Sequence, residues 1–226
     1  MNFKDGEVLL INKPLGWTSF DVVNKLRYAI TKRVGERLKV GHAGTLDPLA
    51  TGLLIICTGK MTKRIDEFTG MDKEYTGTFQ IGATTPTYDS EMEIDATFSV
   101  EHINETSLEE AREKFLGTIE QMPPVFSAIK IDGTAAYINA RKGKEVEMKA
   151  RTVEIKQFDL KRIEMPEVDF RVVCSKGTYI RSLAFDFGKA LNSGAYLKSL
   201  CRTKIGEFDF KNSMTVEECV LKIQEL

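Results

Sequence analysis

The chain has 226 residues, of which 42% are hydrophobic and 29% charged, with a formal net charge of −1. That length fits one large domain, or one with a small appendage, and buries roughly 70% of the surface of the unfolded chain. No apolar run approaches the 18 or so residues of a membrane span, and charges scattered through "MNFKDGEVLLINKP" argue against a signal peptide. The neutral total does not by itself advertise a nucleic-acid partner.

In chain order, "EVLLINKP" reads as a strand stopped by Pro14, and "TSFDVVNKLRYAI" as a helix. Thr18 and Asp21 have near-capping-box spacing, and Phe20, Val23, Leu26, Arg27 and Ile30 follow helical steps. "LLIIC" (Leu53–Cys57) has the length of a buried strand, and "YTGTFQI" alternates as a half-buried one. "SLEEAREKFLG" predicts a helix boxed by Ser107 and Glu110 and stopped at Gly117. "VDFRVVC" alternates as a strand. "GTYIRSLAFDFGKAL" then turns into a helix striped by Ile180, Leu183, Ala184, Phe187 and Leu191, and "NSG" ends it. "MTVEECVLKIQEL" closes the chain as a short helix with Thr215 and Glu218 as its box. Strands come as neighbours as well as helix-separated, so the pattern predicts a mixed α+β fold with a largely antiparallel sheet flanked by helices.

Charge is uneven. Asn24–His42 carries six Lys or Arg against Glu36 alone, and Arg171–Lys204 carries seven against Asp186 alone. Asp89–Glu110 has eight acids and no Lys or Arg. If the two basic segments converge, they could grip a phosphate backbone; two solvated faces are the other reading. Cys57, Cys174, Cys201 and Cys219 form no C-x-x-C, as expected of reduced thiols in the cytoplasm, and two histidines are too few for a His-rich metal site.

One acid stands apart in "VGHAGTLDPLATGLLIICTG". Asp47 precedes a proline, which pushes it into extended geometry, and it lies between Gly44 and Gly52. This presents a carboxylate from a stiff loop at a strand end, or forms a plain Asp-Pro turn with a solvated acid. In "CSKGTYIRSL", Tyr179 and Arg181 sit at the mouth of a helix; an arginine near Asp47 would keep it ionised, and a surface arginine is the alternative. "DKEY" sets Tyr75 at a strand start, as a stacking platform or as part of the core edge.

Taken together, "GHAGTLDPLATGLL", "DKEY" and "SKGTYIR", with "LLINKPLGWTSFDVV" and "QMPPVFSAIKIDG" (Gln121–Gly133), resemble the TruB family of tRNA pseudouridine synthases. The likeness covers nearly the whole chain, with five motifs in the family's order. It implies a single pseudouridine synthase catalytic domain over residues 1–226. It also implies an isomerase that converts the T-loop uridine at tRNA position 55 to pseudouridine. Asp47 matches the catalytic aspartate, Tyr75 the tyrosine that stacks on the target base, and Arg181 the arginine that pairs with the acid. His42 matches the histidine that takes the place left by flipped bases. Tyr179 lies in the active-site motif, Asp89 matches a position near the flipped bases, and Lys13 supports the active-site loop. Lys130, in the Gln121–Gly133 motif, is expected on the RNA side. The expected partner is the tRNA T-stem-loop, with no membrane and no obligate protein partner, and no metal or cofactor is called for, since the reaction has no redox step.

The residue types suit that chemistry. A base inside a folded loop must be flipped out, and the sugar carbon turns electron-poor as the base leaves. A carboxylate serves there by adding covalently or by abstracting a proton. Two departures stand out. Many relatives carry a C-terminal RNA-binding domain of PUA type, whereas this sequence ends at Leu226, so weaker tRNA affinity is expected. Thr134 and Ala135 stand where relatives often have basic residues. The rival readings are a non-catalytic tRNA-binding or folding module and a synthase acting on another RNA.

Overall fold

The computed structural model describes residues 1–131 and 133–226; Asp132, inside the Gln121–Gly133 motif, lies outside them. The chain packs as two compact units, Met1–Thr76 with Leu200–Leu226, and Gly77–Ser199.

In the first unit, β1 (Val8–Lys13) ends at Pro14 and pairs antiparallel with β3 (Ala50–Thr58). β2 (Val40–Ala43) pairs antiparallel with the far part of β3, and β12 (Ala195–Ile205) lies parallel to its start. Leu53 to Cys57 on β3 are all completely buried. The reason is that β3 has a core on each face. Leu54 and Ile56 join Leu26, Ile30, Val216 and Ile223, whereas Leu53, Ile55 and Cys57 join Phe68 and Ile205. A strand covered on both sides needs no polar face, which is why "LLIIC" is an unbroken apolar run.

The helices of the first core are α1 (Ser19–Val34) and α6 (Val216–Glu225). Both start with capping boxes, Thr18 with Asp21 and Thr215 with Glu218, as the spacing predicts. α1 runs past Ile30 to Gly35, whose φ of +80° closes it in the left-handed conformation. Phe20 is a correction: it is 59% exposed, off the buried face set by Val22, Val23, Leu26, Ala29 and Ile30.

In the second unit, β7 (Gly117–Gln121) pairs antiparallel with β10 (Arg151–Glu164), and β10 with β11 (Glu167–Cys174). β4 (Lys73–Ile81), which begins in the first unit, contributes Phe79 here. Phe79 stacks on Phe170 at 4.1 Å and meets Phe158 and Phe187 at 6.2 and 5.5 Å, forming an aromatic core. Phe187 comes from α5 (Ile180–Ala190), whose predicted stripe Ile180, Leu183, Ala184, Phe187 and Leu191 is buried throughout.

The helix near residue 107 starts earlier than its spacing suggests. α3 spans Glu105–Glu113, its cap is Asn104, and Ser107 is the third helical residue that bonds back to it. Asn is as good a cap as Ser, and its position lets the helix begin three residues sooner. Gly117 does not stop α3; it opens β7 at φ +83°. The α+β class with a largely antiparallel sheet is as predicted, with β1–β14 (Met214–Thr215) and β3–β12 among its parallel pairs.

Candidate active site

Asp47 belongs to a loop of the first unit that joins β2 to β3. Pro48 restricts it, and the Ala50 amide donates to the Asp47 carbonyl at 3.0 Å, closing a turn. Three side chains from two distant parts of the sequence then hold the loop. The Ser19 hydroxyl, in the first turn of α1, accepts from the Leu46 amide at 2.8 Å and donates to the Leu46 carbonyl at 3.1 Å. The Lys13 ammonium donates to the carbonyls of Trp17, Pro14 and Pro48 at 2.6, 3.0 and 3.4 Å. Arg202 of β12, almost wholly buried, donates from Nε to the Leu53 carbonyl at 2.8 Å and from Nη2 to the Gly44 carbonyl at 3.0 Å. The loop is thereby clamped at both ends and under its middle, and Asp47 is presented half-buried from a rigid frame.

Gly52 explains why β3 comes so close to β12. Its φ is +103°, and a Cβ there would lie 2.4 Å from the Arg202 carbonyl oxygen. Only glycine allows the approach that delivers Arg202 to the loop.

The loop is also electropositive from beneath. Burial pulls the Lys13 amine down to about 8, against the pull of the nearby Asp47 charge, with Arg202 adding to the fall. Lys13 is thus a buried amine coupled both to Asp47 and to a second buried cation, Arg202. His42, on β2 opposite Ile56 of β3, is held below the ordinary histidine range by burial and then by Arg202, opposed by a hydrogen bond to the Gly44 backbone. Burial and Arg202 both favour the neutral ring.

Tyr75 lies on the same unit, buried on β4 beside Lys73, whose side chain is on the same face. The Lys73 ammonium donates to the carbonyls of Thr69 and Met71 at 2.6 and 2.7 Å. It thereby caps the end of α2 (Ile65–Gly70) and seats the start of β4.

Arg181, Asp89, Tyr179 and Lys130 belong to the second unit. Arg181 is buried in the first turn of α5, where it donates to the carbonyls of Thr87 and Phe126 at 3.2 and 3.0 Å. Its Nε lies 3.6 Å from Asp89 Oδ2. Asp89 is itself fixed, its Oδ1 accepting from the Thr87 hydroxyl at 2.6 Å and the Glu91 amide at 3.0 Å. The buried Arg181–Asp89 pair has no counterpart in the sequence reading. The Gln121 amide group spans the Tyr179 backbone, accepting from its N–H at 2.8 Å and donating to its carbonyl at 3.1 Å, and the Arg151 guanidinium lies over the Tyr179 ring at 5.6 Å. Lys130 is exposed on the two-residue strand Lys130–Ile131, with no part in these bonds.

Ser19, Gln121 and Arg202 escape the sequence reading because each acts on backbone groups far away in the chain. The available signal is weak: a Ser one residue after a cap, a Gln ahead of "MPP", and an Arg in an otherwise ordinary strand. Among the described residues, no group of three or more His, Cys, Asp or Glu side chains is gathered to hold a metal ion. No helix among them is long and apolar enough to cross a membrane.

The sequence matches the model of the TruB family pseudouridylate synthase N-terminal domain over residues 32–180. A protein named tRNA pseudouridine synthase B from Flavobacterium johnsoniae is 60% identical over 216 residues, which cover 95% of this chain and 94% of that one. Another of that name from Phocaeicola vulgatus is 59% identical over 218 residues, covering 96% and 93%. Among solved structures, a chain from a Cbf5–Nop10–Gar1 complex superposes with a TM-score of 0.72 at 27% identity, over 96% of this chain and 54% of its own. A chain from an H/ACA RNP bound to a substrate RNA containing 2′-deoxyuridine gives 0.70 at 26%, over 96% and 53%. The chain spans about half the length of those two solved chains.

Proposed function

Because the chain belongs to the TruB family of pseudouridylate synthases, we propose that it isomerises the uridine at position 55, in the T loop of tRNA, to pseudouridine in the cytoplasm. Asp47 is the reacting carboxylate. The observation that carries this reading is the frame around that acid: Ser19, Lys13 and Arg202 hold its loop, and the buried Lys13 amine is electrostatically coupled to it.

The reaction breaks the bond from the sugar to N1 of uracil and forms one to C5. The proton on C5 goes to solvent and N1 gains one, so no redox partner is consumed. The base has to leave the stack first, which costs a few kcal/mol; stacking on the Tyr75 ring returns about 1–3 kcal/mol. His42, as a neutral aromatic ring, is suited to occupy the vacated stack without an added charge. Arg181 keeps the role that its motif implies, and within its own unit Asp89 lies against the guanidinium while Gln121 sets the Tyr179 backbone. Lys13 supports the loop from beneath, and Lys130 meets RNA at the surface.

The test uses 5-tritiated uridine in unmodified tRNA and in an isolated T-stem-loop. The wild type is expected to release tritium from both and to leave pseudouridine at position 55. Asp47→Asn is expected to bind both RNAs and release none. Turnover by Asp47→Asn removes Asp47 from the mechanism, and product at another position removes the assigned substrate.

A further inference from the structure

The fold treats the two basic segments differently. In Arg171–Lys204, Arg171 meets Asp159 at 3.1 Å, Lys198 meets Glu167 at 2.5 Å and Lys204 meets Asp209 at 3.9 Å. Arg181 is paired with Asp89, Arg202 is spent on backbone carbonyls, and Lys189 covers the Phe185 ring. That segment, which could grip phosphates or form a solvated face, offers little free charge beyond the exposed Lys176. In Asn24–His42 the sole acid, Glu36, is taken by Lys4 at 2.8 Å. Lys25, Lys32, Arg33, Arg37 and Lys39 have no carboxylate partner among the described residues.

These free cations stand around concave surface. Lys25, Tyr28, Lys32 and Arg33 of α1 line a groove of about 450 Å³, floored by Ala29 and Val220 and walled on the other side by Gln224 of α6. Lys25, Tyr28 and Lys32 are three and seven residues apart and share one helix face. Tyr28 is 70% exposed. On the other flank of α1, a second groove of about 490 Å³ is lined by Arg37 and Lys39.

We propose that the α1–α6 groove binds the sugar–phosphate backbone of the RNA substrate at a distance from the reacting nucleotide. The proposal rests on the reading of the preceding subsection. Ser19, which holds Leu46 of the Asp47 loop, precedes Lys25 by six residues and Arg33 by fourteen. At 1.5 Å per residue the groove lies about 9–21 Å along α1 from that contact, several nucleotides beyond an extruded base. The chemistry selects nucleic acid over a protein helix or a lipid surface. Three unpaired cations suit phosphates, the ring of Tyr28 suits a sugar or an unstacked base, and a floor of one alanine and one valine is too small an apolar patch to anchor either of the others. Contacts of this kind position the RNA and carry no sequence preference.

The test is the salt dependence of binding to full-length unmodified tRNA by the wild type, the triple variant Lys25→Gln/Lys32→Gln/Arg33→Gln, and Tyr28→Ala, with circular dichroism to verify folding. Each phosphate contact contributes about 0.9 to the slope of log affinity against log salt. Loss of three is expected to flatten the slope by about 2–3, so that between 50 and 200 mM salt the triple variant loses about 40-fold less affinity than the wild type. Tyr28→Ala is expected to weaken binding several-fold with the slope unchanged. Turnover of tritiated RNA at saturation is expected to be wild-type in both, since neither touches the Asp47 loop. A triple variant with the wild-type slope overturns the proposal. A wild type that yields no pseudouridine defeats the assigned reaction instead, and the slopes still report on the groove.

Discussion

Lys13 gives the most quantitative check on the frame beneath Asp47. Its side chain is completely buried and its ammonium is bound to three backbone carbonyls. Burial lowers the amine from 10.5 to about 8. In the unfolded chain it recovers the ordinary value, so between pH 8 and 10.5 the unfolded state binds more protons than the native state. Stability from this group therefore rises with pH through that window, and is flat below pH 8, where both states are protonated. The difference between 10.5 and about 8 corresponds to at most about 3 kcal/mol. Cys57 and Cys219 act in the opposite sense, since burial pushes both thiols up to about 11 and disfavours the native state once pH passes 9. Comparison with Lys13→Met cancels them. Urea unfolding of both proteins at half-unit steps from pH 7 to 10.5 is expected to show the wild type gaining up to about 3 kcal/mol on the variant above pH 8. Parallel curves across that range would refute the desolvated amine, and with it the claim that a buried cation sits under the loop.

Ser19→Ala orphans both backbone groups of buried Leu46 and is expected to cost about 2–4 kcal/mol in urea unfolding. Its turnover of tritiated RNA is expected to fall further than its RNA affinity; equal loss of both would make Ser19 a purely structural residue. Gly52→Ala meets both a φ of +103° and the Arg202 backbone, so it is expected to lower the thermal midpoint by many degrees, and a wild-type midpoint would contradict the close β3–β12 approach. Cys201 is the one half-exposed cysteine, while Cys57, Cys174 and Cys219 are buried. A thiol reagent at pH 8 is therefore expected to label the native protein once, at position 201 by peptide mass; early labelling at 57 or 219 would count against their burial.

Local signals were the most legible. Thr18 with Asp21 and Thr215 with Glu218 read directly as helix starts, because a cap is a contact across three residues and needs nothing from the rest of the fold. The stripe from Ile180 to Leu191 and the run Leu53–Cys57 were equally plain, since burial on one face or on two writes itself into the period. Phe20 misled because it keeps helical spacing with buried residues while lying on the outer side of α1. The charge count over Arg171–Lys204 overstated its free charge, because a count cannot see Asp159, Glu167 or Asp209 arriving from other strands.

By itself the sequence determined four of the helices and four of the strands, the mixed α+β class, the family motifs and the choice of Asp47 as the acid to watch. Each of these rests on spacing within a few residues or on a run of quoted letters. Tertiary structure alone decided what holds that acid's loop, which acid lies against Arg181 within its own unit, and which positive segment stays free. Ser19, Lys13 and Arg202 reach the 44–53 loop from as much as 158 residues away in the chain. A hydrogen bond or an ion pair depends on distance in space, and distance along the chain carries no record of it.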